Sequence, residues 1–417
     1  MAPFERIAVV GLGYIGLPTA VALATRGIDV VGVDVNESTV AAVKRGEAPF
    51  VEPDLEVAVT GAVAMERLTA TVEMPPADAF IVAVPTPFTD GHQPDLSCVR
   101  AATEAIAPKL RGGELVILES TSPPGTTALM ADWLAEFRPD LRLPGRSGGT
   151  PDVNVAHCPE RVLPGRVMIE IVTNDRIVGG LTRRCAERAV ELYSTFCQGE
   201  MLITDAATAE LSKLAENSFR DVNIAYANEL SLICERLGID VRDVIELANH
   251  HPRVDILAPG PGVGGHCIAV DPWFIVACAP EESRLIRTAR EVNDAKPVRV
   301  AAQIVDRARA FVAPRIACLG LAFKPNIDDL RESPAIEVVE HLARDLDGVD
   351  IDCVEPHVGE LPWRLANLPN VTLRPLTEAL RDADIVVLLV GHEQFASVKG
   401  SALAGKVVYD TCGLWRR

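Results

Sequence analysis

Positive charge is in short supply. The chain of 417 residues sets 40 Lys and Arg against 58 Asp and Glu, a net charge of −18. A surface of that sign repels polyanions, so nucleic acid and anionic membrane are excluded as expected partners. A small anionic ligand is not excluded, because a few local cations suffice to hold one. No C-x-x-C pair occurs among the ten cysteines. Their scatter fits neither zinc-ligand spacing nor a disulfide framework, which points to reduced thiols and no metal. No apolar run approaches the length of a membrane span. The N-terminus enters a strand within a few residues, with no room for a signal peptide, so a cytoplasmic protein is expected.

What is present is a soluble globular composition, 48% hydrophobic and 24% charged, on a chain too long for one core. Arg6-Ile-Ala-Val-Val10 reads as a buried parallel strand and runs directly into Gly11-Leu-Gly-Tyr-Ile-Gly16. An apolar helix follows from Leu17, then a strand from Asp29 to Val33 that ends in Asp34. Strand, G-x-G-x-x-G, helix, strand and terminal acid in one unit form a dinucleotide-binding fingerprint. Gly11 permits the tight turn, Gly13 lets backbone approach a pyrophosphate, and Gly16 lets helix and strand pack closely. The helix N-terminus offers N–H groups to the phosphates. Asp34 accepts from ribose hydroxyls and repels a 2′-phosphate, which selects NAD over NADP. The alternation goes on through strands at 79–84, 114–119 and 153–157. Ligands sit at the carboxyl ends of such strands. Thr86 and Thr121 are therefore candidates for the nicotinamide side, and equally for turn or capping hydroxyls. Glu160 is a strand-end carboxylate by the same reasoning.

From Ala206 to Leu237 there is neither Pro nor Gly, which predicts one long helix joining two domains. Lys213 and Asn217 share one of its faces, and such a pair can hold a developing oxyanion. A second helix is expected at 240–249, and another from about 281 to 310 that is interrupted near Pro297. Between them lies Pro259-Gly-Pro-Gly-Val-Gly-Gly-His-Cys267, too poor in side chains for helix or strand. It delivers a single thiol, Cys267, preceded by His266 and followed by Asp271. A nucleophile on a substrate loop and a buried structural thiol both fit that pattern. Strands at 315–319, 350–354, 385–390 and 407–410 make a smaller α/β unit. Its first turn lacks G-x-G-x-x-G, which argues against a second NAD site, yet Lys324 and Arg331 stand where phosphate ligands bind. Ser333-Pro334 reads as a helix N-cap followed by a first-turn proline. The expected fold is α/β: two Rossmann-like doubly wound domains joined by the long central helix. The expected divisions are residues 1–205 for NAD, 206–312 for the helical middle with the Cys loop, and 313–417 for the smaller α/β unit, which can hold a nucleotide carried by the substrate.

Taken in order, Val10-Gly-Leu-Gly-Tyr-Ile-Gly-Leu-Pro18, Glu119-Ser-Thr-Ser-Pro-Pro-Gly125, Lys213-Leu-Ala-Glu-Asn217, Gly264-Gly-His-Cys-Ile-Ala-Val-Asp271 and Phe323-Lys-Pro-Asn-Ile-Asp-Asp-Leu-Arg-Glu-Ser-Pro334 resemble the nucleotide-sugar 6-dehydrogenase family. The resemblance spans essentially the whole chain. His266 and Ala269-Val270, together with Cys158-Pro-Glu-Arg-Val-Leu-Pro-Gly165, look like its UDP-N-acetylmannosamine branch. UDP-N-acetylglucosamine 6-dehydrogenase is the alternative substrate reading. The resemblance implies oxidation of a C6 alcohol to a carboxylate with two NAD, through a thiohemiacetal and a thioester on Cys267, in the service of polysaccharide synthesis. It implies that Lys213 and Asn217 stabilise the oxyanion and that Asp271 positions water. It makes Glu160, with Thr121 and water, the base. It assigns the cofactor to Gly11, Gly13, Tyr14, Ile15, Gly16, Asp34, Thr86, Thr121 and Arg331. It assigns the substrate to Glu160, Arg161, Val162, Lys213, Asn217, Arg220, His251, Gly264 and Lys324, with Arg253 reaching a neighbouring subunit of a homodimer built on the long helix. Cys412, in Asp410-Thr-Cys-Gly413, replaces a basic residue common in the family, which removes one expected cation. Asn326 stands where other branches commonly have Thr. A two-electron hydroxyacid dehydrogenase would leave the Cys267 loop unexplained. A non-catalytic nucleotide-sugar or redox sensor would bind both ligands and make no NADH.

Overall fold

The computed structural model describes residues 4–89, 91–145, 150–265 and 267–415. It divides into two compact units, Met1–Glu216 with Trp273–Cys278, and Asn217–Pro272 with Ala279–Arg417.

The first unit is built on eight strands: β1 (Arg6–Val10), β2 (Asp29–Val33), β3 (Leu68–Thr71), β4 (Ala79–Val82), β5 (Leu115–Leu118), β6 (Asn154–His157), β7 (Arg176–Gly180) and β8 (Met201–Asp205). Their order is β3-β2-β1-β4-β5-β6-β7-β8. Pairing is parallel throughout except between β6 and β7. The central strands are apolar on both faces because helices cover both. β4 and β5 are buried at every position. Chain order reverses at β1, which has β2 on one side and β4 on the other. That reversal opens a crevice at the carboxyl ends of β1 and β4, the place where such sheets bind ligands.

The second unit holds a five-stranded parallel sheet of β9 (Ile316–Leu319), β10 (Ile351–Val354), β11 (Val371–Leu373), β12 (Ile385–Leu388) and β13 (Val407–Asp410), ordered β11-β10-β9-β12-β13. It repeats the topological switch of the first sheet at β9. The long helix spans Ala206–Leu237, with both ends as expected. Asp205 sets its start by accepting from the Thr208 N–H and hydroxyl, and Gly238 ends it with φ +69°.

Two expectations need correction. The helix Arg284–Ala308 runs through Pro297 without interruption. A mid-helix proline forfeits a hydrogen bond at about 3 kcal/mol; here its ring is buried, and a Cβ built on Gly262 would meet Pro297 Cγ at 3.0 Å. Packing against the glycine loop offsets the loss. At the helix Pro334–Asp345, Ser333 occupies the N-cap position but makes no side-chain cap bond, and its buried hydroxyl has no partner. Pro334 at the first position supplies the start instead. Among the described residues no helix is long and apolar enough to cross a membrane.

Candidate functional site

The glycine fingerprint forms a cradle at the end of β1. A Cβ on Gly11 would lie 2.3 Å from Ala83 O, and one on Gly16 1.8 Å from Gly11 O, whereas one on Gly13 would meet nothing within 4 Å. Two glycines are thus demanded by packing, and the third faces open space where a pyrophosphate backbone fits. The helix Gly16–Ala24 begins there with Ile15 as its N-cap. Tyr14 stacks on Phe50, with ring centroids 4.3 Å apart. Asp34 Oδ2 accepts the Leu12 N–H at 2.8 Å and Oδ1 the Asn36 N–H at 2.9 Å. That holds the carboxylate over the turn with acceptor capacity left for a ribose. Thr86 and Thr121 follow neighbouring strands, and they meet: Thr86 Oγ1 donates to Thr121 O at 2.6 Å. These residues fit a dinucleotide.

Glu160 is buried. Its Oε2 accepts from Arg176 Nη2 at 2.7 Å and its Oε1 from the Arg161 N–H at 2.7 Å. Arg161, expected on the substrate, is committed to Glu216, Nη2 to Oε1 2.7 Å. Val162 packs against the apolar core of the first unit. Arg176 had no role in the sequence reading, yet it is almost fully buried and also faces Glu119 Oε1 at 3.7 Å. Glu119 takes Tyr193 OH at 3.0 Å and Thr19 Oγ1 at 3.2 Å. Burial pushes Glu119 up to about 7, an effect that Arg176 offsets in part and Glu160 reinforces.

The thiol loop lies in the second unit. Cys267 O accepts the N–H of Val270 at 3.0 Å and of Asp271 at 2.8 Å, so thiol and carboxylate are one helical turn apart. Asp271 is buried at the head of the helix Asp271–Cys278. Asn217 Nδ2 donates to Asp271 Oδ2 at 2.5 Å. The spacing of the loop glycines is steric. A Cβ on Gly262 would meet Pro334 Cβ at 2.8 Å, one on Gly264 Glu332 O at 2.6 Å, and one on Gly265 the Phe323 ring at 2.9 Å. Gly265 N donates to Arg331 O at 3.2 Å. The loop is also anchored at its start, where Asn228 Oδ1 accepts the Gly260 N–H at 3.0 Å. Asn228 in turn donates to Asn293, which with Arg290 grips buried Asp221. None of these four was singled out from sequence, because helical Asn, Asp and Arg read as surface residues. His266 lies outside the described residues.

Lys213 sits on the long helix within the first unit, and Asn217, one turn on, within the second. Lys213, Asn217 and Lys324 are half-buried, whereas Arg220, His251, Arg253 and Arg331 are exposed. Arg253 N donates to His251 Nδ1 at 3.3 Å, and Arg331 pairs with Asp329 at 2.6 Å. Cys412 points inward, its Sγ 3.3 Å from Leu389 O, and burial pushes it up to about 11. A cation does stand beside that motif, supplied by another segment. Arg242 Nη2 donates to Asp410 O at 3.2 Å, and a Cβ on Gly413 would collide with its guanidinium. Nearby, a cavity of about 350 Å³ is lined by Lys296, Arg242, Arg307, Glu235 and Tyr409 among others.

Among the described residues, one group, Glu355, His357 and His392, has ligand atoms close enough for a metal. His392 Nδ1 accepts the Asn326 N–H at 2.9 Å, which puts the ring proton on Nε2, 3.1 Å from Glu355 Oε2. A neutral imidazole has one lone pair, and here backbone takes it. The group reads as a brace for the loop after β9.

The family models for UDP-glucose/GDP-mannose dehydrogenases match in three parts: NAD binding domain over 5–197, central domain over 207–295 and UDP binding domain over 317–417. An NDP-N-acetyl-D-galactosaminuronic acid dehydrogenase from Ralstonia nicotianae is 57% identical, covering 99% of this chain and 96% of that protein. A UDP-N-acetyl-D-mannosamine dehydrogenase from Escherichia coli is 55% identical, covering 99% and 100%. The solved structure of a UDP-D-ManNAc dehydrogenase from Pyrococcus horikoshii matches with a TM-score of 0.88 at 38% identity, covering 99% and 96%. With the dinucleotide cradle on the first sheet and matches along the whole chain, the protein belongs to the UDP-glucose/GDP-mannose dehydrogenase family and is an NAD-dependent nucleotide-sugar dehydrogenase.

Proposed function

We propose that the chain oxidises C6 of UDP-N-acetyl-D-mannosamine to the carboxylate, with Cys267 as covalent nucleophile. The balance is one alcohol, one water and two NAD to one carboxylate, two NADH and three protons. NAD, held by Gly11, Gly13, Tyr14, Ile15, Gly16, Asp34, Thr86 and Thr121, supplies the two hydride acceptances. The chain's own residues do the rest. Glu160, a fixed acceptor, takes the alcohol proton through water at Thr121. The Cys267 thiolate adds to the aldehyde carbon, which keeps the intermediate from escaping between cofactors. Lys213 and Asn217 hold the negative oxygen of each tetrahedral species. Asp271 orients the water that cleaves the thioester. Lys324 and Arg331 serve the phosphates of substrate and cofactor, and Gly264 lets backbone approach the sugar nucleotide. Arg161, Val162, Arg220 and His251 are assigned to the substrate pocket.

The observation that carries this reading is the Asn217–Asp271 hydrogen bond, 2.5 Å, one helical turn from the thiol. It ties an oxyanion donor and a buried carboxylate to the loop that presents Cys267. The test is NADH formed per limiting UDP-N-acetylmannosamine. Two per sugar is expected, and one would demote Cys267 to a structural residue. In Cys267→Ala, acid formation is abolished with NAD affinity within threefold. A second reading, an N-acetylgalactosamine nucleotide, is favoured by the 57% identity to the Ralstonia protein. UDP-N-acetylglucosamine is the third sugar to assay beside them.

The working form we propose is a cytoplasmic homodimer. Phe219, Tyr226 and Ile233 recur every seven residues on the long helix, and with Leu237 all are exposed, Phe219 at 72%. Seven residues return to nearly the same helical face, so this stripe suits a partner helix. Arg253, exposed, would reach the partner's substrate. Phe219→Glu with Tyr226→Glu is expected to give monomers by light scattering; an unchanged dimer would refute that interface.

A further inference from the structure

Two buried carboxylates, Glu160 and Glu119, share one buried guanidinium, Arg176, and the reaction outlined above leaves both Glu119 and Arg176 without a task. Arg176 enters at the start of β7, the strand that runs against its neighbour β6, and that reversal brings its side chain under the chain segment following β6. One guanidinium nitrogen holds Glu160 Oε2 at 2.7 Å, and the other stands 3.7 Å from both Glu119 Oε1 and Cys158 Sγ. The guanidinium plane is backed by Tyr193, Cζ to ring centroid 4.6 Å, and Phe196, 5.3 Å. Glu119, Glu160 and Arg176 side chains are 0%, 6% and 3% exposed.

Full ionisation would leave this pocket with two negative charges against one positive, which a low-dielectric interior opposes. Keeping one proton in the pocket restores neutrality. The groups facing Glu119 decide where it resides. Tyr193, from the helix Arg183–Tyr193, and Cys158, after β6, are both pushed upward by burial and stay neutral. The dinucleotide helix offers only the Thr19 hydroxyl. Glu160 takes the short contact to Arg176, so Glu119, at the longer distance, is where the proton stays.

We propose that Arg176 and Glu119 are positioning residues for Glu160: the guanidinium fixes the Glu160 carboxylate, and protonated Glu119 leaves that guanidinium committed to it. When Glu119 ionises it draws Arg176 toward itself and the hold on Glu160 slackens. The inference rests on Glu160 acting on the substrate side, and the test separates the two. Steady-state kcat and both KM values are measured for wild type, Glu160→Gln, Arg176→Lys and Glu119→Gln from pH 6 to 8.5, with circular dichroism to check folding. Arg176→Lys keeps the charge and loses the fork; a kcat loss of at least tenfold is expected with both KM values within threefold. Glu119→Gln keeps the shape and cannot ionise. Its kcat relative to wild type is expected to rise at least twofold between pH 6 and 8.5, a ratio in which titrating groups not coupled to Glu119 cancel. A flat ratio, or full kcat in Arg176→Lys, overturns the inference. Full kcat in Glu160→Gln overturns the role of Glu160 itself, whatever the other variants do. Should Arg176→Lys not fold, the Glu119→Gln ratio decides alone.

Discussion

Asn228 is a single side chain on which the Cys267 loop and two helices converge, and truncating it gives a prediction with a magnitude. Asn228 is fully buried. Its carbonyl oxygen accepts the Gly260 N–H at 3.0 Å, and its amide donates to Asn293 Oδ1 at 2.9 Å. In Asn228→Ala the Asn293 oxygen, 1% exposed, loses its donor where water cannot replace it. That costs about 1–3 kcal/mol. The Gly260 N–H is only partly buried, so its loss adds roughly 0.5–1.5 kcal/mol. The sum is about 1.5–4.5 kcal/mol. With an m-value of about 3 kcal/mol/M in urea, the midpoint by circular dichroism falls by roughly 1 M. Activity falls as well, because Gly260 opens the loop that presents the thiol. Asn228→Asp separates the two effects: it still accepts from Gly260, yet it buries a charge and cannot donate to Asn293. It should therefore be at least as unstable as Asn228→Ala with a higher kcat. A midpoint within about 0.2 M of wild type in Asn228→Ala would refute the accounting. Equal kcat losses in both variants would refute the anchoring of the loop.

Gly16→Ala would put a Cβ 1.8 Å from the Gly11 carbonyl; NAD affinity by calorimetry is expected to fall at least tenfold, about 1.4 kcal/mol, and an unchanged affinity would refute the cradle. Lys296 is 7% exposed, and burial pulls it down to about 8, with Glu235 opposing. A folded value below the unfolded one penalises folding fully below about pH 8, and the penalty fades as pH rises toward the unfolded value. Lys296→Met is thus expected to raise stability at pH 7 by about 1–3 kcal/mol and by little at pH 10; equal gains at both would sink the assignment. Arg161→Ala should cost less than about 1 kcal/mol, because its partner Glu216 is 39% exposed. A loss above about 3 kcal/mol by urea denaturation would mean that this pair behaves as a buried one.

Patterns that depend on neighbours in the chain were readable without coordinates. β1, β2 and β13 have the bounds expected from the apolar runs they contain, and the long helix ends where glycine first interrupts it. β3, β7, β8 and β11 were not foreseen. β3 alternates buried and part-exposed positions, and β11 has three residues, so neither carries the apolar run of a central strand. β7 opens on a buried arginine, whose meaning depends on two carboxylates from other segments. The same limit applies to the site. Cys267, Asp271 and Asn217 were legible as residue types, but the bond between Asn217 and Asp271 joins positions 54 apart in the chain. The pair of Arg161 with Glu216 joins positions 55 apart, which no local pattern announces. Asn326 has φ +62°, a backbone state open to Asn and strained for a β-branched residue such as Thr.

The five-stranded sheet repeats the order of the first five strands of the larger one, and both place an acid at the end of the strand beside the first, Asp34 after β2 and Glu355 after β10. A carboxylate has about four lone-pair positions. Asp34 uses two, on the Leu12 and Asn36 N–H groups. Glu355 uses four, on the N–H groups of Leu321, Ala322 and His357 and on His392. Asp34 keeps an acceptor position on each oxygen for the paired hydroxyls of a ribose, whereas three of the four bonds to Glu355 crowd Oε2 and only Oε1 has a position left. The same fold can thus be a dinucleotide receptor in one half of a chain and refuse that ligand in the other. Emptying the second acid's coordination, as in His392→Leu, is the kind of change from which a new ribose contact could arise.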